Sequence, residues 1–430
     1  MSMDVKSILD RQITQLPKEI KFCARCVVSN QRPRIAFDSE GICGACRYAD
    51  IKNSEIDWEQ REKELKELCD ANRSTDGKFD VIVPGSGGKD SARVSWELKY
   101  KYGMHPLTVT WAPFEYTSVG YANFRNFIKV GGFNNLMAWQ NGIFHRKLSR
   151  LSFEMLGDAW QPFTYGQVSY AFHMAKALGI KLVFFGENGE AEYSGNPQVF
   201  NKSGMPITLW NEQYFKGITI RDLVKYGLEE TDYLKENDFD ESDFTFYEPP
   251  KTTDLKSWGA EFKWFSYYKK WIPQENYYLA AEKTGFQANP EGRSEGTYSK
   301  YASLDDQMDG FHFYHAFLKF GICRCTSDAA HEIRDGHITR EEGVSLVKRY
   351  DGEFPKMHFN AFLNYLNITP EQFWRAINKF RTPRIWKKVN GEWRLRSAVY
   401  DVDGTSKEVP VYVSSIPVEM RSMANAEFKE

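Results

Sequence analysis

Eight consecutive residues, Pro84-Gly85-Ser86-Gly87-Gly88-Lys89-Asp90-Ser91, carry the sharpest chemical signal in the sequence. The glycines let a backbone run close to an anion and turn its N–H groups toward it, while Lys89 brings a positive charge. The run follows the apolar stretch FDVIV at 79–83 and opens a helical stretch at 91–102, so a helix dipole adds to the cradle. Its chemistry is phosphate binding, through the glycine backbone, the helix N-terminus and Lys89. It is not a Walker A loop, because Asp90 follows Lys89 where that loop needs Ser or Thr.

A second constellation, Gly186-Glu187-Asn188-Gly189-Glu190-Ala191-Glu192, follows an apolar run at 181–185. Carboxylates at the carboxyl end of a parallel strand face the crevice where such sheets bind ligands. Glu187, Asn188 and Glu190 therefore join Lys89 and Asp90 as candidate catalytic residues. The plain alternative is an acidic loop that caps a helix.

Of the 7 cysteines, four stand as C-x2-C-x16-C-x2-C: Cys23, Cys26, Cys43 and Cys46. This spacing fits a tetrahedral thiolate zinc site that closes a small ribbon. With all four positions filled by protein, the metal would be structural; an iron–sulfur cluster is the other occupant. Cys69 reads as a packed thiol on a charged helix, and Cys323 and Cys325 as buried structural thiols. His312 and His315, three apart and close to Asp305 and Asp306, suggest a metal set but read more simply as packed or surface histidines.

The elements that must position these groups follow from the pattern. Short apolar runs at 79–83, 107–111, 136–139 and 181–185 alternate with helical stretches, which predicts a parallel sheet with helices on both faces. A charged helix at 57–71 joins the cysteine module to this core. Residues 226–254 are acidic and contain proline, as a surface excursion would be. Beyond them Thr339 with Glu342 and Thr369 with Gln372 form capping boxes, so the later chain is mainly helical. Phe311, Tyr314, Phe317 and Phe320 mark one buried helix face. Asn390-Gly391 between two β-like runs predicts a hairpin.

Bulk composition narrows the classes. In 430 residues, Lys plus Arg is 56 and Asp plus Glu is 58, giving a formal charge of −2 with no basic tail. Nucleic-acid binding, which rests largely on phosphate neutralisation, is disfavoured. There is no long apolar run, and MSMDVKSILDRQITQ is charged where a signal peptide is apolar; the expectation is a cytoplasmic protein without a membrane span.

SGGKDS after a strand resembles the PP-loop, S-G-G-x-D-S, of N-type ATP pyrophosphatases. Together with FCARCVVS, HRKLSRLSFE, GDAWQPFTYGQ, FFGENGEAEYSG, SLDDQMDGFH and ITREEGVSLVKRYDGEFP, it resembles the N-acetyl sugar amidotransferases of bacterial surface-polysaccharide biosynthesis over most of residues 20–396. The resemblance implies an α/β fold with a parallel-sheet PP-loop core (HUP-like, adenine nucleotide alpha hydrolase-like), an N-terminal zinc-ribbon module and a mainly helical C-terminal region. It divides the chain into an arm and four-cysteine zinc module (1–52), a linker helix (53–78), the PP-loop core (79–225), an acidic excursion and substrate-binding segment (226–300), a helical region (301–385) and a hairpin with tail (386–430).

The activity implied is conversion of a sugar N-acetyl group to an acetamidino group, in lipopolysaccharide O-antigen or nonulosonic acid biosynthesis. It would use ATP and Mg²⁺, beside Zn²⁺ at the cysteines, and ammonia from a HisH-like glutaminase partner. Ser86, Gly87, Gly88, Lys89 and Ser91 would hold pyrophosphate, and Asp90 would help place Mg²⁺ or the leaving group. Glu187 stands where the related G-H-N-x-D-D segment has His. Arg293, Glu295 and Tyr298 in EGRSEGTYSKY are candidate sugar contacts. A PP-loop tRNA thiolase is the alternative, disfavoured because the stretch 161–167 carries no cysteine and the chain is not basic.

Overall fold

The structure, a computed structural model, describes residues 11–204, 210, 214–401 and 406–427. Its centre is a five-stranded sheet made of β1 (Val81–Pro84), β2 (Pro106–Trp111), β3 (Asn134–Ala138), β4 (Leu182–Phe185) and β5 (Glu261–Trp264). All pairings are parallel, and the order is β3-β2-β1-β4-β5. The four apolar runs read from the sequence are β1 to β4. The fifth strand lies inside 226–300: Glu261 to Trp264 pair with Leu182 to Phe185. EFKW has no uniform apolar run to announce it.

Both faces of the sheet centre are covered, which is why the inner strands β1, β2 and β4 are buried at successive positions. Ile82 and Val183 pack with Tyr165, Val168 and Phe172 of the helix Gln161–Leu178. Val81, Val83, Leu182 and Phe184 turn the other way, onto Leu65 and Cys69 of the helix Trp58–Asn72 and Val94 of the helix Lys89–Trp96. Burying each Val or Ile contributes roughly 1.5–3 kcal/mol. The helix Gln161–Leu178 approaches β2 so closely that a Cβ at Gly166 would lie 2.1 Å from Trp111 Cε2.

The chain runs from β1 outward through β2 and β3, then returns to the other side of β1 for β4. The β1/β4 boundary is thus the topological switch point, where connections leave in opposite directions and open a crevice.

The later chain folds over this crevice as helices, among them Asp309–Phe320, Arg324–Arg334, Arg340–Tyr350 and Pro370–Asn378. Both capping boxes form, at Thr339 with Glu342 and Thr369 with Gln372. Phe311, Tyr314 and Phe317 are buried in the main core, and Phe320 is buried at its margin. The hairpin β6 (Trp386–Val389) and β7 (Glu392–Leu395) turns at Asn390 and Gly391, both with positive φ as a type I′ turn requires. Among the described residues, no helix is long and apolar enough to cross a membrane.

Candidate active site

The loop after β1 is shaped by contacts that a side chain would break. Gly87 has φ +86°, and a Cβ there would stand 2.7 Å from Phe124 Cα; a Cβ at Gly85 would stand 2.4 Å from that of Ser91. Gly88 caps the helix Lys89–Trp96 with no side chain of its own, which leaves the first N–H groups facing the crevice. Ser86 Oγ donates to Asp305 Oδ2 at 3.0 Å. Lys89 Nζ meets Asp90 Oδ2 at 2.5 Å, and Asn276 Nδ2 donates to Asp90 Oδ1 at 2.8 Å. Asn276 is itself held by Arg93, Nη1 to Oδ1 at 2.6 Å. Lys89 and Asp90 are therefore fixed from behind, at a recess of about 190 Å³ bounded by the loop.

On the other side of the switch point, β4 ends in the Glu187 turn. Burial and the charge of Asp90 push the Glu187 carboxyl up to about 7, with Lys89 pulling the other way. Asn188 is a turn residue: its N–H donates to Ser266 Oγ and its Oδ1 accepts from the Glu190 N–H. Glu190 opens a wide turn, Glu190–Ser194, and pairs with Arg34, Nη2 to Oε1 at 2.6 Å. Such wide turns concentrate at functional sites. Of the expected catalytic set, Asp90, Glu187 and Glu190 line one cavity of about 640 Å³, Lys89 lines the adjoining recess, and Asn188 supports the turn.

The same cavity is lined by groups that sequence reasoning did not assign: Arg32, Arg34, Asp305, Asp309 and Arg324. Burial and neighbouring Asp305 raise the Asp309 carboxyl, whereas Arg324 favours its charge. Asp306 is spent on structure, accepting from the N–H groups of Phe114 at 2.6 Å and Met308 at 2.8 Å. His312 lines the cavity but faces Asp158 at 3.0 Å, not Asp305 or Asp306. Burial works against the charge of Asp158, yet His312 and Lys216 outweigh it and hold that carboxyl well below the usual carboxylate range. His315 is buried among Phe153, Phe311 and Phe362. The available signals were SLDDQMD and RPR, whose charges interrupt otherwise foldable stretches.

A cluster of four cysteines stands beside this site. The Sγ atoms of Cys23, Cys26, Cys43 and Cys46 all lie within 4.8 Å of one another and are buried. Sulfurs bound tetrahedrally at the zinc–thiolate distance stand about 3.8 Å apart; Cys23 and Cys46 are at 3.9 Å, and Cys26 and Cys43 at 3.7 Å. Backbone N–H groups of Arg25, Cys26 and Cys43 point at Cys23 Sγ, a setting that stabilises thiolate. The cluster fits a metal such as zinc in a ribbon-like module built on the short bridges Phe22 to Ser29 and Phe37 to Cys43. That module docks on the Glu190–Ser194 turn: a Cβ at Gly195 would fall 1.8 Å from Gly44 C.

Arg293, Glu295 and Tyr298 stand apart from the cavity. Arg293 is bound to Glu353 at 2.6 Å, Glu295 accepts from the Met357 N–H at 3.1 Å, and Tyr298 packs with the cysteine module's core. Arg293 and Glu295 tie the loop down, while the Tyr298 hydroxyl is buried without a partner. Cys69, Cys323 and Cys325 are all buried, and burial raises each thiol.

Residues 295–400 match the family model described as LPS biosynthesis protein WbpG-like, C-terminal domain. The matched segment supplies Asp305, Asp309 and Arg324 to the cavity, and the match supports an LPS-biosynthesis family. No curated protein matches the chain.

Proposed function

We propose that the chain is an ATP-dependent amidotransferase that converts the N-acetyl group of a sugar to an acetamidino group in lipopolysaccharide or nonulosonic acid biosynthesis. The observation that carries this reading is the placement of the SGGKDS loop and the Glu187 turn on the two sides of one switch-point cavity. Donors at 85–91 suit phosphate oxygens, and Lys89 offsets charge that develops on a pyrophosphate leaving group. Asp90 and Asp305 are the carboxylates that would hold Mg²⁺, which would supply charge neutralisation of phosphate oxygens.

An amide oxygen is a poor leaving group, so ammonia needs it activated. In the proposed reaction that oxygen attacks the α-phosphorus of ATP and pyrophosphate departs. Ammonia then adds to the imidate-like carbon, loses a proton, and AMP leaves with the former amide oxygen. Glu187, with its carboxyl near 7, is matched to accepting that proton at neutral pH. Ammonia would come from a separate HisH-like glutaminase: four cysteines form the metal cluster and the other three are buried, unlike an exposed glutaminase nucleophile.

Purified protein incubated with ATP, Mg²⁺, ammonium and candidate N-acetyl sugars should release AMP and pyrophosphate, with oxygen replaced by NH in the sugar by mass spectrometry. Lys89→Ala should lower turnover by roughly a hundredfold or more. ADP and phosphate as the sugar-dependent products, or equal activity from glutamine alone, would overturn the reading.

A further inference from the structure

A second cavity of about 390 Å³ adjoins the first and is lined by none of the residues 85–91. The two cavities share a wall that includes Arg32, Arg34, Glu187, Tyr193, His312 and Arg324. A nucleotide seated on the phosphate loop would meet a second substrate across this wall.

The cations of the wall are not equivalent. Arg34 is neutralised by Glu190 at 2.6 Å, Arg324 by Asp328 at 3.0 Å, and His312 faces Asp158 at 3.0 Å. Arg32 differs. Among the described residues no carboxylate lies within 4.0 Å of it; Nη1 reaches only Ser327 Oγ at 3.4 Å, and Nε is enclosed without a partner. Burial and the adjacent Arg34 lower its pKa to about 10, so it remains a cation at neutral pH. Arg32 is half-buried over the Tyr193 ring at 5.5 Å, and the carboxylate that favours its charge, Glu190, is already paired with Arg34, so a ligand anion would supply the direct counter-charge it lacks.

The position is also built in advance. Arg34 has φ +65°, rare for a residue with a side chain, and Pro33 fixes the backbone between the two arginines. Behind them Asn30 Nδ2 donates to Glu19 O at 2.9 Å and Arg384 Nε to Gln31 Oε1 at 2.8 Å. Arg32 does not border the recess around the phosphate loop, whereas Arg324 does. Arg32 shares the main cavity with the loop, but the second cavity reaches Arg32 and none of the residues 85–91, so a ligand seated there presents its anion to Arg32 from the side away from the loop.

We propose that Arg32, carried into the site by the cysteine module, is the receptor for an oxyanion, carboxylate or phosphate, on the sugar to be amidinated. This rests on the proposed function for the word sugar; the anion site itself does not.

The test is a ligand-observed NMR titration of the full chain with glucuronic acid 1-phosphate, glucose 1-phosphate and glucuronic acid, with and without Mg²⁺ and α,β-methylene-ATP. Glucuronic acid 1-phosphate should bind, Arg32→Ala should weaken it by roughly tenfold or more, and Arg32→Lys should recover part of the loss. Affinity for the ATP analogue should be unchanged in both variants, which also reports that they are folded. The single-anion probe that keeps the Arg32 dependence identifies carboxylate or phosphate. No probe binding to the wild type, equal probe affinity in Arg32→Ala, or a parallel loss of the ATP analogue would overturn the proposal. Failure of the wild type to bind the analogue would instead sink the ATP reading, and the titration without analogue would still decide Arg32.

Discussion

Arg34 and Glu190, separated by 156 positions, close on each other as a bidentate pair, with Nη2 at 2.6 Å and Nε at 3.0 and 3.1 Å from the carboxylate oxygens. The pair joins the cysteine module to the turn that carries Glu187. Arg34→Ala and Glu190→Gln should each cost roughly 1–3 kcal/mol, and the double variant less than their sum. Urea unfolding of the three variants measures the coupling; additive losses would show that the contact contributes nothing.

A second tie is fully enclosed. Lys52 Nζ lies 3.0 Å from Glu192 and 3.4 Å from Asp335, with all three side chains at most 2 % exposed. Lys52→Met would leave two carboxylates buried without their cation and should destabilise by about 3–5 kcal/mol. Lys52→Met combined with Glu192→Gln should be milder, as the midpoints of chemical unfolding would report.

The cysteine cluster should carry one zinc per chain by elemental analysis, and Cys43→Ser should lose it. Because Arg32 and Arg34 ride on the same module, metal loss should also lower sugar-dependent AMP release. A metal-free variant with full turnover would show the module to be independent of the site.

Glu187 provides a pH signature. Its folded carboxyl, near 7, holds a proton more tightly than the unfolded chain does, near 4.5. From this group stability is therefore greatest below about 4.5 and declines as pH rises toward 7, since the native state binds more protons across that window. Glu187→Gln should remove the decline, so that its stability relative to wild type rises between those values. Parallel pH profiles of the two proteins would contradict the assignment.

Local signals were legible in the sequence where the physics is local. β1 to β4, the glycine-rich turn after β1, both capping boxes, the Asn390-Gly391 turn and the four-cysteine spacing each depend on neighbours within a few positions, and each has its counterpart in the structure. β5 was not legible, because EFKW is a strand only through its pairing with β4. Asp305, Asp309, Arg324, Arg32 and Arg34 look like ordinary surface charges until the fold brings two distant segments over the crevice. Arg293 and Glu295 stand away from the cavity and hold their loop to Glu353 and Met357, a placement that no local pattern in EGRSEGTYSKY announces.

The enclosed Lys52 also orders events during synthesis. Its partner Asp335 follows it by 283 residues, so at ribosomal rates the lysine waits on the order of 15–60 s for that helix to emerge. The module can meet the Glu190–Ser194 turn earlier, Glu192 following Lys52 by only 140 residues, but Lys52 is sealed between Glu192 and Asp335 only when the later helix arrives, so its burial is a late, non-local step in folding.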